Sequence, residues 1–230
     1  MTNQNATGAA TRPAPEWLRV HTPPASQKPN VGPLAASEIL NRMQEQAKAE
    51  PPAEIVRPQD LDLHFVTEGL HPAVQRAHDE VQRWLADIMN GHPQPRWVYL
   101  YGRPGTGKTH LARRARYLLQ PRPRVQFWKA HKVASMLRAG MYDLRYQLAK
   151  LDVLFIDDLG VDHATEFMRS EWCNLLDERL GKWTFITANL SPAEVATQVH
   201  ERLASRLYRN QNVRVDLREA DDYSFKFKKL

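Results

Sequence analysis

The run WVYLYGRPGTGKTHLA, Trp97 to Ala112, decides the reading of this 230-residue chain. From Gly102 to Thr109 it fits the pattern Gly-x-x-x-x-Gly-Lys-Thr at every fixed position. Trp97 to Tyr101 is strand-like and His110 to Gln120 is helix-like, so the loop lies where a strand feeds a helix. The glycines let the backbone turn tightly and point its N–H groups inward. The helix N-terminus adds partial positive charge, and the loop becomes an anion cradle. Gly102, Arg103, Pro104, Gly105, Thr106, Gly107, Lys108, Thr109 and His110 are therefore expected to bind the phosphates of a nucleotide. Lys108 is expected at the β- and γ-phosphates, and the Thr109 hydroxyl on Mg²⁺. The plain alternative, a glycine turn before a helix, loses weight once both flanks are counted.

Outward from the loop, strands and helices alternate. Pro72 to Met89 has Val74, Ala77, Val81, Trp84, Leu85 and Ile88 at helical spacing, with proline suited to the first turn. Val125 to Trp128 reads as a second strand. Two short helices follow, Lys132 to Leu137 and Tyr142 to Lys150. Leu151 to Ile156 is a near-continuous apolar run, the pattern of a strand covered on both faces. A helix over Thr165 to Leu180, a strand over Trp183 to Thr187 and a capping box at Ser191–Glu194 come next. A helix unbroken to Arg209 would put Arg206 on the apolar side with Val195 and Val199, so a break is expected near His200. Val213 to Leu217 gives the fifth strand. This alternation predicts a three-layer α/β domain with a largely parallel sheet.

The net charge of +6 and a pI near 9.5 favour an anionic partner. The excess is local. Residues 1–60 carry six basic and six acidic side chains, whereas residues 101–150 carry twelve basic and one acidic, Asp143. The single cysteine, Cys173, excludes an intrachain disulfide and fits a reducing, cytoplasmic setting. No apolar run approaches the ~18 residues of a membrane span, so no membrane partner is expected. The start, MTNQNATGAATRP, lacks the layout of a secretory signal. Residues 1–60 also hold nine of the sixteen prolines and are expected to form a mostly disordered arm, with residues 61–230 as the folded domain. Within the arm, a helix of about residues 35–49 would place Ile39, Leu40 and Met43 on one face. It either folds onto a partner or packs back on its own domain.

Ligands of such sheets bind at the carboxyl ends of the strands. Asp157 and Asp158 follow the apolar strand directly. An acidic group there holds Mg²⁺ through its water shell, and a neighbouring carboxylate orients or deprotonates the attacking water. Asp157 is assigned to the metal and Asp158 to the water; a loop or helix-capping pair is the alternative. Asn189, at the end of the fourth strand, is placed to touch the γ-phosphate or the water, or is a turn residue. Arg202, Arg206 and Arg209 share one helical face. That face either supplies a guanidinium to a neighbouring subunit's phosphate or is simply solvated.

Together, GRPGTGKTHLA (Gly102–Ala112), LDVLFIDDLG (Leu151–Gly160), TFITANLSP (Thr184–Pro192), ERLASRL (Glu201–Leu207) and DDYSF (Asp221–Phe225) resemble the AAA+ ATPases of the initiator and helicase-loader branch, and within it the DnaC/IstB group. The resemblance covers about residues 61–230. It implies a three-layer P-loop AAA+ core with a five-stranded, mainly parallel sheet and no C-terminal lid domain. It implies ATP and Mg²⁺ as cofactors and slow hydrolysis completed between subunits. Arg206, in Ser205-Arg206-Leu207, matches the arginine finger, and Asn189 matches the sensor. Asp158 stands where many AAA+ proteins carry glutamate, although the Asp-Asp pair is familiar in this group.

The family's insert between the second and third strands contacts single-stranded DNA. Here that implies Lys129, Lys132, Arg138 and Arg145, with Trp128, Tyr142 and Tyr146 as stacking groups; an ordinary solvated helix face is the alternative. The function so implied is ATP-dependent loading of a replicative DNA helicase onto single-stranded DNA. The arm would hold the helicase, and copies of the chain would assemble through the nucleotide interface. Two other readings stand: an IstB-like transposition helper on duplex DNA, and a nucleotide-gated adaptor with little hydrolysis.

Overall fold

The computed structural model describes residues 56–57, 61, 69–120, 122, 124–160, 165–209 and 211–223. Most of the arm expected over residues 1–60, with its helix of about 35–49, lies outside them. In chain order the elements are α1 (Pro72–Met89), β1 (Trp97–Tyr101), α2 (Lys108–Leu118), β2 (Val125–Lys129), α3 (Ala130–Arg138), α4 (Asp143–Ala149), β3 (Val153–Asp157), α5 (Glu166–Glu178), β4 (Trp183–Ala188), α6 (Pro192–Gln198), α7 (Glu201–Leu207) and β5 (Val213–Asp216). The strands form one parallel sheet in the order β2-β3-β4-β1-β5. This is the three-layer P-loop AAA+ core expected above. Among the described residues, no lid helix follows β5.

Period-two alternation sends successive strand residues to opposite cores. Val98, Leu100, Val153, Phe155 and Phe185 face α1 and α2. Tyr99, Leu154, Ile156 and Ile186 face α3, α4, α5 and α7. Trp84 of α1 is fully buried, edge-on to Phe155, Trp183 and Phe185, and its Nε1 donates to Arg96 O at 3.0 Å. Removing an aromatic of this kind from a core costs about 3–5 kcal/mol. The helix begins where Pro72 removes a donor that would have no acceptor in the first turn, and His71 Nδ1 accepts from Ala73 N at 3.2 Å.

Near the end of the chain the expected break is found. Ser191 and Glu194 form a capping box on α6, and α7 starts afresh from an extended His200 whose ring accepts from Arg202 N. Restarting there turns Leu203 and Leu207 inward and keeps Arg206 off that face. Val56, in the stretch assigned to the arm, is 4 % exposed in the α1/α2 core and its carbonyl accepts from Gln120 Nε2, and one compact unit spans residues 51–230. An apolar residue of the proline-rich stretch thus finds a core to enter. No described helix is long and apolar enough to cross a membrane.

Candidate nucleotide site

β4 lies between β1 and β3, so the end of β4 separates the loop after β1 from the aspartates after β3. The loop is closed by three glycines at positive φ: Gly102 at 149°, Gly105 at 79° and Gly107 at 89°. Gly102 N donates to Ala188 O at 3.3 Å, tying the loop to β4. A Cβ on Gly102 would lie 2.6 Å from the Leu217 carbonyl carbon, so only glycine fits this approach. A Cβ on Gly105 would strike the Asp222 carboxylate, and Gly105 O accepts from Tyr223 N at 2.9 Å. The Tyr223 hydroxyl in turn accepts from His71 N at 2.9 Å. Residues 217–223 thus lie along the loop and join it to the start of α1.

Lys108 opens α2 and is 7 % exposed. Its Nζ donates to Gly102 O at 2.8 Å and Arg103 O at 2.7 Å, and the buried Thr106 hydroxyl donates to Arg103 O at 2.9 Å. Burial pushes the Lys108 pKa down, while Asp158 and Asp157 pull it up. Arg103 and Pro104 are exposed, and His110 lies in the first turn of α2.

Asp157 is 3 % exposed, and its Oδ1 accepts from Thr109 Oγ1 at 2.8 Å and from Thr187 Oγ1 at 2.7 Å. Thr187 Oγ1 also accepts from Asp158 N at 2.8 Å, and Thr187 O accepts from Leu159 N at 2.8 Å. One buried hydroxyl on β4 therefore fixes both aspartates. Asp158 is the only described non-glycine residue at positive φ, 55°, and it is exposed at the strand end. Such a conformation for a non-glycine residue is held by its surroundings and clusters at functional sites.

The donor set fits a nucleotide with Mg²⁺. A lysine, a loop closed by glycines and a hydroxyl beside a β3 carboxylate meet at the first turn of α2. Among the described residues no cluster of three or more His, Cys, Asp or Glu exists to hold a metal alone.

Asn189 is exposed, one residue past the end of β4. Arg206 is not free-standing: its Nε donates to Asp177 Oδ1, and Arg202 Nη2 donates to Asp177 Oδ2. Arg209 lies beyond α7. In the basic tract Lys129 ends β2, Lys132 lies on α3, and Arg138, Tyr142 and Tyr146 are exposed. Two members have other contacts. Arg145 is only 17 % exposed, bridges Glu171 and Glu178 of α5, and stacks on Tyr146. Trp128 is 8 % exposed and donates to Gln126 Oε1, because β2 is covered on both faces. The sequence alone assigns no role to Thr187, Asp177 or the contact of residues 217–223 with the loop. Only Thr187 left a signal, as a polar residue between the apolar Ile186 and Ala188.

The bacterial DnaA ATPase domain family matches residues 70–214. No curated protein sequence matches the chain. Among solved structures, a DNA replication initiation factor aligns with TM-score 0.60 at 22 % identity, over 76 % of this chain and 55 % of its own length. A replication initiator DnaA bound to AMPPCP and single-stranded DNA aligns with TM-score 0.54 at 20 % identity, over 70 % of this chain and 51 % of its own. The DnaC helicase loader aligns with TM-score 0.53 at 20 % identity, over 64 % and 90 %. At these identities the likeness is one of fold, and this chain spans about half the length of the two initiators.

Proposed function

This chain belongs to the bacterial DnaA ATPase domain family, and from that premise we propose that it is a Mg²⁺-dependent ATPase of DNA replication that loads a replicative helicase onto single-stranded DNA. The observation that carries the ATPase part is the hydrogen-bond chain Thr109–Asp157–Thr187–Asp158 beside a buried Lys108. Thr109, with Asp157 behind it, would hold the metal, whose charge offsets that of the phosphates. Lys108 and the loop amides orient the triphosphate. Asp158 takes up the water, Asn189 reads the γ-phosphate, and Arg206 acts on the site of a neighbouring copy. Hydrolysis is slow because each site is completed only by a second subunit.

The loader part is supported by the likeness in fold to the DnaC helicase loader and to a DnaA bound to single-stranded DNA. The exposed Arg138, Tyr142 and Tyr146, with Lys129 and Lys132, offer charge and ring faces to a single strand. Arg145 supports Tyr146 from behind. The helicase is held by the arm of residues 1–60, through the helix of about 35–49.

The test is capture of the replicative helicase by the full chain and by residues 51–230. That cut keeps Val56 in its core. Capture by the full chain alone supports the loader and places its partner site. No capture by either, with ATP-dependent filaments on duplex DNA, would replace the loader with a transposition helper. ATP hydrolysis unchanged by Lys108→Ala would overturn the nucleotide site itself.

A further inference from the structure

α7 carries Arg202 and Arg206 one turn apart, and α5 sets a single carboxylate, Asp177, against both. Each oxygen is committed. Oδ1 accepts from Arg206 Nε and Oδ2 from Arg202 Nη2. The Arg206 and Asp177 side chains are 20 % and 22 % exposed, whereas Arg202 is 53 % exposed. The Arg206 contact is therefore the better shielded of the two. Its geometry matters more than its strength. A guanidinium that grips a carboxylate in the bidentate way uses two parallel N–H groups of one edge, one for each oxygen. Here Arg202 occupies the second oxygen, so Arg206 is gripped at Nε alone. Its terminal nitrogens make no hydrogen bond among the described residues. Two cations on one anion also leave the cluster with one net positive charge.

We infer that Asp177 is a positioning residue, presenting the Nη1/Nη2 edge of Arg206 to the triphosphate held by a second copy of this chain. The inference rests on the reading of Arg206 as acting between subunits, and adds to it how the finger is aimed. Arginine loses rotamer freedom when it docks on a phosphate. Asp177 has removed much of that freedom before any second copy arrives, and a misplacement of about 1 Å at such a group lowers turnover by up to ~10²-fold. Arg202 acts as a guard that keeps the finger from folding flat onto its own anchor.

A mixed-chain ATPase assay tests this. The donor is Asp158→Asn, silent at its own site but able to bind nucleotide and offer its finger. The acceptor is Arg206→Ala, with a complete site and no finger. Activity recovered on mixing reports transfer between copies. Adding Asp177→Asn to the donor should lower the recovered kcat about tenfold with KM for ATP unchanged. The same substitution on the acceptor, which has no finger to aim, should change nothing. Asp177→Glu on the donor should restore part of the activity. Equal loss from either placement would reduce Asp177 to a structural contact and overturn the inference, as would no loss from the donor placement. If the donor and acceptor recover nothing on mixing while both bind nucleotide, the between-subunit reading itself fails and the aiming role falls with it.

Discussion

Replacing Arg179 with methionine asks whether a buried cation stabilises this domain or is only tolerated by it. Arg179 caps the end of α5 and is 0 % exposed. It donates to Leu151 O and Trp183 O, to Thr184 Oγ1 at 3.2 Å, and at 3.4 Å to Ala149 O and Asp152 O. One guanidinium thus closes the end of α4 and the starts of β3 and β4. Burial pulls its pKa down to about 10, a fall equivalent to roughly 3 kcal/mol against the charged form. Methionine relieves that penalty and fills much of the volume. Ala149 O keeps a bond from Lys182 Nζ at 2.5 Å, and Thr184 Oγ1 keeps its bond to Lys182 O at 3.3 Å, so neither is stranded. Trp183 O keeps its place in the parallel β3–β4 ladder, whereas Leu151 O and Asp152 O lose their donor. At about 2 kcal/mol for each unsatisfied carbonyl, the loss is roughly 4 kcal/mol. The net destabilisation is then about 1 kcal/mol, or roughly 2–4 °C in Tm for a domain of this size. Urea titration followed by tryptophan fluorescence should give a lower midpoint at an unchanged slope. An unchanged midpoint, or a gain, would refute the reasoning and mean that desolvation outweighs the bonds.

Gly102→Ala should weaken binding of a fluorescent ATP analogue at least about tenfold and lower stability by about 2 kcal/mol, because its Cβ meets the Leu217 backbone at 2.6 Å. Affinity within twofold of the parent would show that the loop tolerates the approach. Thr187→Val keeps the shape but deletes both hydroxyl bonds at the aspartates. Its kcat for ATP should fall about tenfold with KM nearly constant, the mark of lost aim at the reacting group; an unchanged kcat would leave Thr187 without a role. The Asp177 carboxyl is held below the usual carboxylate range by hydrogen bonding from Arg206, and also by Arg202. Its contribution is therefore full above the unfolded value near 4 and is lost as pH falls through the lower folded value. The stability gap between the parent and Asp177→Asn should stay constant above about pH 5 and narrow below about pH 4. A gap that persists to strong acid would contradict the pairing.

The parts legible in the sequence were those fixed by local chemistry. A phosphate cradle needs its glycines, lysine and threonine at set spacing. β3, covered on both faces, is apolar up to Asp157 at its end. The restart at His200 followed from the phase of Arg206 alone. What escaped was long-range. Nothing near Asp177 says that Arg202 and Arg206 will meet it, and nothing near Gly105 announces Asp222. Val56 was hidden by the prolines around it. Trp128 was misread for a related reason: aromatic residues in a basic tract suggest stacking, but a strand with helices on both sides buries Phe127 and Trp128 alike.

β1 bears consequences in the order of synthesis. It is the first strand made, yet its neighbours are β4 and β5, with Trp97 beside Thr184 and Val98 beside Val213. Until those residues leave the ribosome, the strand that carries the cradle has no neighbour on either side, and Gly102 lacks the backbone it packs against. At roughly 5–20 residues per second that wait is on the order of ten seconds. A nascent chain in that interval has no nucleotide site, so ATP cannot act as a template for its folding. Closing the long loops around β1 carries the entropic cost of non-local pairing, and the backbone that packs on Gly102 is made only after β5.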